Sequence, residues 1–437
     1  MAEFNFFQHW YPLSPIADLR PAVPTPVTVL GIRTVIWQPR DRATYCVFLD
    51  QCPHRLAPLS EGRIDEQTGH LMCSYHGWQF DAQGTCQRIP QAEADFQPAQ
   101  QPQLCATALP CQVANDLLWV WPDANSTELA AQTPLPLSPQ VDASQGFVWD
   151  SYVRDLDYDW QTLVENVVDP SHVPFAHHGV QGNRAQARPV PIQITESTPT
   201  RIEAKSEGRF NTKMTFEPPC RVEYAIAFGA DKQIGLVTYC VPTVPGKCRI
   251  VAQFPRNFAQ TAHRWTPRWL SHIKTRNAVL DGDMILLQQQ EQILHQSASP
   301  SWQKAYTLPT SADRFVIEFR KWFDRTCAGQ LPWPAGTTPP TFGPRDRQQV
   351  LDRYHQHTQL CSSCRSALQW VERAEWGLLG LTVLVVAIVA VLPDEYRRWP
   401  GIPLLLLALG GLGVAAWLKI WLEPQFRFVD YIHSDRP

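Results

Sequence analysis

The chain has 437 residues, of which 44% are hydrophobic and 18% are charged, and its formal net charge is −3 at pH 7. This length allows two or three domains, each with a core of its own. The near-neutral charge offers no electrostatic attraction to nucleic acid, so nucleic-acid-binding functions are excluded. The 39 prolines favour a loop-rich and mainly β architecture over long helical bundles.

The N-terminus, Met1 to Pro15, is expected to belong to the folded protein rather than to a targeting segment. It contains an acidic residue, Glu3, and has neither a basic region nor a continuous apolar run, unlike a secretory signal or a transit peptide. The twelve cysteines are therefore expected in a reducing compartment. Thiolates there bind metals or take part in redox chemistry more often than they form disulfides.

Residues 1–140 are predicted to form short strands separated by turns. Stretches with β-like sequence run from Val27 to Trp37, from Tyr45 to Leu49 and from Leu117 to Trp121. The polar stretch that follows, Asp123 to Ser144, is predicted to be a linker.

Two short motifs within this region each pair a cysteine with a histidine: C-x-H at Cys52 and His54, and C-x2-H at Cys73 and His76. Two thiolates on one iron and two neutral imidazoles on the other hold a [2Fe–2S] cluster of raised reduction potential. Loops at the tips of two β-hairpins are predicted to hold this cluster from both sides. A structural zinc site is the alternative, but its usual motif places two cysteines on one loop.

The segment Trp160 to His178 is predicted to begin as a helix and to be interrupted by two prolines. It contains His172 and His177, which suit a facial triad of two histidines and one carboxylate that binds Fe(II) and leaves positions open. Side chains five residues apart point about 140° away from each other on an ideal helix. Pro174 is therefore expected to bend the segment and bring the rings together. His178 is the alternative to its neighbour as the ligand.

The region from Ile192 to Phe258 is predicted to form alternating strands, including Arg201–Phe210, Arg221–Phe228 and Val237–Val241. Two helices are predicted to follow, over Pro267–Gln296 and Ala312–Arg325. The third iron ligand is expected to be a carboxylate in the first of these helices, where Asp281 and Asp283 are the two candidates.

Cys361 and Cys364 form a C-x2-C motif, which is compatible with a reversible dithiol, with half of a zinc knuckle or with coincidence. Residues 376–393 and 399–418 then carry no charge, and each stretch is long enough to cross a bilayer. Tryptophans near their ends suit the membrane interfaces. A spanning hairpin with both its ends on one side of the membrane is predicted, and a buried helical hairpin is the alternative.

The motifs CPH, CSYHGWQF, D-x2-H-x4-H and HTQLCSSCRSAL together resemble those of the Rieske non-haem iron oxygenases. They are most similar to the membrane-bound branch that includes pheophorbide a oxygenase, chlorophyllide a oxygenase and the Rieske subunit of the chloroplast translocon. The resemblance implies an α+β fold: an N-terminal all-β Rieske domain, a helix-grip (START-like) antiparallel sheet with helices, and a two-helix transmembrane hairpin. The implied parts are the Rieske domain 1–140, the catalytic domain 145–350, the C-x2-C redox segment 351–372, the transmembrane helices 376–393 and 399–418, and the tail 419–437.

The resemblance also implies roles for single residues. Asp283, the second acid of its D-x-D-M pattern, is expected to complete the iron site with the two histidines. Asp169 is expected to connect the two centres by a hydrogen bond to a cluster histidine of the neighbouring subunit in a homotrimer. Cys361 and Cys364 are expected to form a redox-regulatory pair on which thioredoxin acts.

The implied function is oxygenation of a hydrophobic substrate, with O2 as co-substrate and ferredoxin or a similar protein as electron donor. A chlorophyll-derived tetrapyrrole such as pheophorbide a or chlorophyllide a suits a membrane-anchored enzyme. The absent transit peptide suggests a mature form, or the thylakoid or plasma membrane of a prokaryotic phototroph, with the catalytic domain in a reducing cytoplasmic or stromal-type compartment. The alternatives are a redox-sensing, translocon-associated protein and an oxygenase of a sterol or an aromatic acid.

Overall fold

The structure is a computed structural model that describes residues 4–40, 43–207, 210–229, 231–296, 301–338 and 346–435. Glu3, which entered the interpretation of the N-terminus, lies outside the described residues. Positions 208 and 209 of the predicted strand Arg201–Phe210 and the last two residues of the tail also lie outside them.

The N-terminal region contains short antiparallel strands, as predicted. They are β1 (Tyr11–Pro15), β2 (Thr25–Val29), β3 (Ile32–Trp37), β4 (Cys46–Leu49), β5 (Arg63–Ile64), β6 (Leu71–Met72), β7 (Gln79–Phe80), β8 (Cys86–Arg88), β9 (Ala108–Leu109), β10 (Cys111–Ala114) and β11 (Leu117–Val120). The described strands pair in the orders β1-β11-β10, β2-β3-β4-β9 and β5-β6-β7-β8. The single β-like stretch predicted from Val27 is a hairpin, because Leu30 and Gly31 adopt positive φ angles of 50° and 75° and reverse the chain.

The buried side chains of this region belong to two hydrophobic cores of unequal size. Strands β3 to β8 enclose a small core of their own, which includes Trp37, Phe48, Leu71 and Phe80. Strands β1 and β11 instead pack into the large core of the C-terminal domain. The Rieske and catalytic parts therefore share packed side chains, and the predicted domain limit at residue 140 remains a prediction.

The stretch Asp123 to Ser144 is not the simple linker that was predicted. It contains helix α1 (Thr127–Gln132) and then packs on the large sheet of the C-terminal domain. Buried Ser138 and Gln140 both donate to the Glu223 carboxylate, at 2.9 and 2.6 Å. The polar side chains that suggested a linker are the ones that make these buried hydrogen bonds, as buried polar groups require.

The C-terminal domain is built on one antiparallel sheet in the order β12-β18-β17-β16-β15-β14-β13. Its strands are β12 (Ser151–Leu156), β13 (Ile192–Ser197), β14 (Ile202–Glu207), β15 (Asn211–Glu217), β16 (Arg221–Phe228), β17 (Lys232–Val244) and β18 (Lys247–Gln253). The helices in this part are α2 (Trp160–Val167), α3 (Val173–Ala176), α4 (Gln260–Trp265), α5 (Arg268–Ser271), α6 (Asn277–Gln296), α7 (Trp302–Ala305) and α8 (Arg314–Cys327). A sheet with packed helices confirms the predicted α+β class.

The two long helices predicted after the sheet are present, with differences at their starts. The first consists of α5, a π-helical turn over His272–Arg276 and then α6. The second, α8, begins after a 3-10 turn and buries the aromatic side chains of one face against the sheet, those of Phe315, Phe319, Trp322 and Phe323.

The last part of the chain forms a helical hairpin that leaves the domain and returns to it. Helices α9 (Arg347–Val350), α10 (Ser362–Val391), α11 (Asp394–Arg398), α12 (Gly401–Trp417) and α13 (Pro424–Arg427) follow one another. Helix α10 starts at the C-x2-C motif, well before the predicted span at residue 376, so the redox segment is not separate from the anchor.

The hairpin is long and apolar enough to cross a membrane twice. In the most apolar 18 residues of each arm, only 11% and 17% of the residues are buried within the described chain. This exposure does not fit the alternative of a buried helical hairpin. Trp376 and Trp399 are exposed at the starts of the two uncharged stretches, 376–393 and 399–418, where interfacial aromatic residues belong. After the hairpin, Phe428 pairs with Asp352, so both ends of the hairpin lie on the same side, as predicted.

Candidate functional site

The two loops that carry the cysteine and histidine motifs have the same local design. In the first, the Leu56 amide donates to the Cys52 carbonyl at 2.8 Å, and in the second the Gly77 amide donates to the Cys73 carbonyl at 3.0 Å. Both donors have positive φ angles, 59° and 73°. Glycine suits this conformation because it lacks a Cβ atom. Each motif is therefore held in a tight turn that follows a strand, β4 in one case and β6 in the other.

The four side chains of these loops separate into a thiol pair and an imidazole pair. The rings of His54 and His76 lie 4.4 Å apart, and His54 also stacks on Trp78. Cys52 and Cys73 are buried, whereas both histidines are partly exposed. The thiols therefore face the small core and the imidazoles face the surface.

The charge state of these groups fits a [2Fe–2S] cluster. A hydrogen bond from the Cys52 thiol lowers the pKa of Cys73 to about 6, which favours the thiolate that iron binds. Burial, and then the neighbouring charges of His76 and Arg55, lower the pKa of His54, so its ring is neutral as coordination requires. Within the described chain, Nδ1 of His54 is buried without a hydrogen-bond partner, which suits a metal ligand.

The second site lies where α2 ends. Asp169 caps a 3-10 turn over Pro170–His172, because its Oδ1 accepts from the Ser171 amide at 2.7 Å. One turn of helix, α3, then separates His172 from His177. The predicted role of Pro174 is wrong: it lies in the first turn of α3, where a missing amide proton costs no helical bond. The rings converge because both histidines flank this single turn.

His172, His177 and Asp283 come together at one point. The two Nε2 atoms lie 3.1 Å apart, and the Asp283 carboxylate lies 3.8 Å from the first and 3.5 Å from the second. Nδ1 of each ring is buried without a hydrogen-bond partner within the described chain. Two imidazoles and one carboxylate that converge from one side form the ligand set of a facial iron triad. These residues therefore fit a mononuclear iron.

The electrostatics of this cluster favour a bound cation. Burial, and then the charge of His172, lower the pKa of His177 to about 3, so this ring stays neutral and keeps its lone pair. Burial raises the pKa of Asp283 to about 6, although His172 and a hydrogen bond from Asn166 oppose the shift. A buried carboxylate with so little compensation is stabilised when a cation binds it.

The alternative ligands are engaged elsewhere. Asp281 lies in a buried ion-pair network, 2.8 Å from Arg154 and 2.6 Å from Arg353. His178 accepts at Nδ1 from the Arg184 amide at 3.1 Å. Among the candidates, Asp283 and His177 are the residues whose side chains meet at the triad, and the ligand assignment remains a prediction supported by this geometry.

Asp169 lies at the edge of the iron site. Its Oδ2 is 3.8 Å from Nδ1 of His172, longer than a hydrogen bond, and 29% of its side chain is exposed. Burial opposes ionisation, but His172 and Ser171 outweigh it and lower the pKa of Asp169. A carboxylate in this position is charged, touches a ligand histidine and is accessible from outside the chain, as the predicted bridge requires.

Several supporting residues were not predicted. The Tyr431 hydroxyl donates to the Ala176 carbonyl at 2.8 Å, and His433 lies 3.0 Å from the Gly282 carbonyl, so the tail after the hairpin braces both iron-binding elements. A Cβ atom at Gly282 would lie 2.6 Å from the Ala176 carbonyl, so only glycine lets α6 approach α3 this closely. A glycine inside a predicted helix was the one available signal.

Cys361 and Cys364 lie outside both sites. They are buried at the start of α10 beside two histidines, His272 and His357. Neither histidine was predicted to be a functional residue.

Comparison with known proteins identifies the family. Residues 9–110 match the family described as the Rieske [2Fe-2S] domain, and residues 216–301 match the family described as pheophorbide a oxygenase. The chain is 39% identical to pheophorbide a oxygenase of Oryza sativa subsp. japonica, over 99% of this chain and 86% of the relative. It is 31% identical to the protochlorophyllide-dependent translocon component 52 of Arabidopsis thaliana, over 99% and 86%.

Among solved structures, dicamba monooxygenase shares the fold. The two are 19% identical, cover 74% of this chain and 98% of the other, and superpose with a TM-score of 0.60. The matched Rieske domain and the relatives that cover the whole chain show that the enzyme uses a [2Fe–2S] cluster, a mononuclear iron and O2, and that it takes electrons from a donor such as ferredoxin. The family models and the relatives that match the chain from end to end show that it is a Rieske non-haem iron oxygenase and belongs to the pheophorbide a oxygenase family.

Proposed function

We propose that this enzyme oxygenates a chlorophyll-derived tetrapyrrole, with pheophorbide a and chlorophyllide a as the first candidates. The observation that carries the proposal is the buried triad of His172, His177 and Asp283 in a chain of the pheophorbide a oxygenase family. A membrane anchor suits a large, sparingly soluble substrate, because the substrate reaches the enzyme from the bilayer.

The residues around the iron site have distinct proposed roles. Iron bound at the triad supplies O2 activation, since a facial triad leaves positions open for O2 and substrate. The chain's part is to hold His177 neutral, to present His172 and Asp283 beside it as the other two ligands, and to connect the centres through Asp169. The Tyr224 hydroxyl, on the large sheet, donates to the Val167 carbonyl at 2.7 Å, so the sheet reaches the iron-binding segment and is proposed as the wall of the substrate pocket.

The test is an isotope experiment on the full chain in detergent. Ferredoxin, its reductase and NADPH are added, and pheophorbide a, chlorophyllide a and protochlorophyllide a are offered separately under 18O2. We expect labelled product from one tetrapyrrole, lost in His172→Ala and kept in His178→Ala, which changes the residue that follows His177 in the sequence but is not part of the triad. Bound iron and a reducible cluster without labelled tetrapyrrole would contradict the proposal and direct the search to sterols and aromatic acids. Absence of iron at the triad would favour the redox-sensing alternative.

We also propose that the active unit is a homotrimer in which a cluster of one chain serves the iron of the next. Leu56 and Tyr75, beside the cluster histidines, are 69% and 62% exposed, and Phe175, beside the iron histidines, is 59% exposed. Exposed apolar side chains next to both centres suit an interface that joins them. In such an interface, Asp169 is available to a cluster histidine of the neighbouring chain.

Mixed oligomers test the trimer directly. His76→Ala removes a cluster ligand and Asp283→Ala removes an iron ligand, so each variant alone is expected to be inactive. Co-expression of the two is expected to restore part of the activity, because an intact cluster then lies beside an intact iron site of another chain. Inactive mixed oligomers that contain both metals would show that electrons move within one chain.

Two further partner and location proposals are made. Chloroplast relatives and the apolar hairpin support association with a thylakoid or other chloroplast membrane. The catalytic domain is proposed to lie on the reducing side of that membrane. The plasma membrane of a prokaryote, which was the other expectation, gains no support from these comparisons. Thioredoxin acting on Cys361 and Cys364 is the less supported proposal, because both thiols are fully buried, and it excludes a metal ion bound permanently by the same two thiols. Thiol labelling of the native enzyme before and after thioredoxin treatment tests it.

A further inference from the structure

We propose a structural zinc site at the start of the membrane hairpin, formed by two imidazoles and two thiolates: His272, His357, Cys361 and Cys364. The proposal does not depend on which substrate the enzyme oxygenates. Binding of Zn²⁺ displaces the protons of both thiols, and the product, a dication with two thiolates, carries no net charge. A neutral metal site is the form in which these groups are least costly to bury.

The distances between the ligand atoms match one tetrahedral ion. Sγ of Cys361 and Sγ of Cys364 each lie 3.6 Å from Nδ1 of His272, and Sγ of Cys364 lies 3.3 Å from Nε2 of His357. All four ligand atoms lie within 4.8 Å of one another. Zn–S and Zn–N bonds of standard length at tetrahedral angles place S and N about 3.5 Å apart.

The two histidines are oriented for this role. Nδ1 of His357 lies 2.6 Å from the Val153 carbonyl on β12, so this nitrogen carries the proton and Nε2 presents its lone pair toward Cys364. A metal-binding histidine commonly donates its other N–H to a carbonyl in this way. Nδ1 of His272 lies at the same distance from both sulfur atoms, so this is the nitrogen that faces the ion.

The backbone departs from regular helix where it presents both histidines. His272 begins the π-helical turn His272–Arg276, and His357 lies in a second one, Tyr354–Thr358. Such turns are rare and occur frequently at functional sites. Cys361 caps α10 and Cys364 lies in its first turn, so the C-x2-C spacing turns both sulfur atoms toward the same point.

The surroundings indicate a structural ion rather than a catalytic one. Among the described residues, the ligands are at most 1% exposed, and Ile273, Leu368 and Phe426 belong to the apolar core that encloses the two thiols. Arg268 lies 3.7 Å from Sγ of Cys361 and pairs with Asp18, which adds a hydrogen bond to the thiolate without adding net charge. Closed sites with four protein ligands are typical of structural zinc.

The position of this site gives it a mechanical role. His357 is hydrogen-bonded to β12 of the large sheet. His272 precedes Asp283 by eleven positions on a nearly continuous helix, which corresponds to about 16 Å along the helix axis. The thiols belong to the first turn of the membrane helix. A single ion would therefore join the sheet, the helix with the iron ligand and the anchor.

Metal analysis of the full-length enzyme in detergent tests the proposal. After a chelator wash, we expect about one zinc per chain beside about three irons, two in the cluster and one at the triad. X-ray absorption at the zinc edge should show two sulfur and two nitrogen neighbours. Zinc below about one-tenth per chain, iron in place of zinc at these ligands, or a Cys361–Cys364 disulfide in the isolated enzyme would overturn it.

Matched variants locate the ion. Cys364→Ser and His357→Ala should each lower the zinc content at least tenfold, whereas Cys105→Ser, a thiol outside the site, and His355→Ala, an exposed ring two residues away, should retain it. The visible spectrum of the cluster serves as the folding control, because the cluster lies in a separate core. If a site variant does not fold, the X-ray absorption spectrum at the zinc edge of the wild-type enzyme is sufficient to test the proposed ligands.

Discussion

The cluster ligands lie in one short stretch of sequence, from Cys52 to His76, whereas the residues that form and brace the iron site extend from Asn166 to His433. The first set has a small core of its own, and its histidines reach the surface. In the second set His177 and Asp283 are buried, and the site depends on an ion-pair network and on the tail beyond the membrane hairpin. A local site is sensitive to changes in two loops, but a distributed site is sensitive to changes far from the metal.

The largest effect is expected from removing an iron ligand. His177→Ala should abolish oxygenation and lower the iron content from about three to about two atoms per chain, because two ligands are too few to hold the ion. Metal analysis and the visible spectrum measure both centres in one sample, and the cluster spectrum should not change. His178→Ala is the control. Loss of the cluster together with the iron would contradict the separation of the two sites.

The buried ion-pair network should matter next. Asp281→Asn leaves Arg154 and Arg353 without their common carboxylate and is expected to cost about 3–5 kcal/mol in free energy of unfolding. Denaturant unfolding followed by tryptophan fluorescence measures this loss. Asp430→Asn removes an exposed pair with Arg347 and should cost at most about 1 kcal/mol. Equal effects of the two changes would contradict the structural role assigned to Asp281.

The tail offers a sharper test of the distributed site. Tyr431→Phe removes the donor to the Ala176 carbonyl, which is expected to cost about 1–2 kcal/mol and to weaken iron binding about tenfold. Iron retention during dialysis against a chelator measures the affinity. Tyr396→Phe, at the exposed turn of the hairpin, is the control. Unchanged iron retention would show that the tail does not support the iron site.

The smallest effect concerns the N-terminal segment, which packs against the iron domain. Burial lowers the pKa of His9 from 6.5 to about 4, and its ring stacks on Phe4. The unfolded chain therefore binds more protons than the folded one between these values, so this contribution to stability is present above pH 6.5 and is lost as the pH falls toward 4.

His9→Phe keeps the stacking and removes the titration. Between pH 7 and pH 5, the free energy of unfolding should fall by about 1 kcal/mol less in this variant than in the wild type. Denaturant unfolding at both pH values measures the difference, with His355→Phe as the control on an exposed ring. A wild-type pH response in His9→Phe would contradict the assignment.

The same contrast explains what could be predicted from sequence. The cluster motif is local, so its four residues could be chosen from spacing alone. Asp281 and Asp283 point about 200° apart on a helix, and the choice between them depends on Arg154 and Arg353, which are distant in sequence. The stretch around Gln140 was predicted as a linker because its partner, Glu223, lies on a strand far along the chain.

The histidines beside the C-x2-C motif show the same limit. His272 lies 89 residues before Cys361, and no spacing rule connects them. His357, four positions before Cys361, was visible in the sequence, but the π-helical turn that directs its ring was not.

The central claim is that Asp283, and not its neighbour Asp281, completes the iron site that receives electrons from the cluster. Single turnover tests it most directly: the cluster is reduced, the enzyme is mixed with O2 and a tetrapyrrole, and cluster oxidation is followed by electron paramagnetic resonance while product is counted. In the wild type we predict cluster oxidation and product formation together. In Asp283→Ala we predict an intact reduced cluster and no product. Wild-type cluster oxidation and product yield in Asp283→Ala would contradict the account.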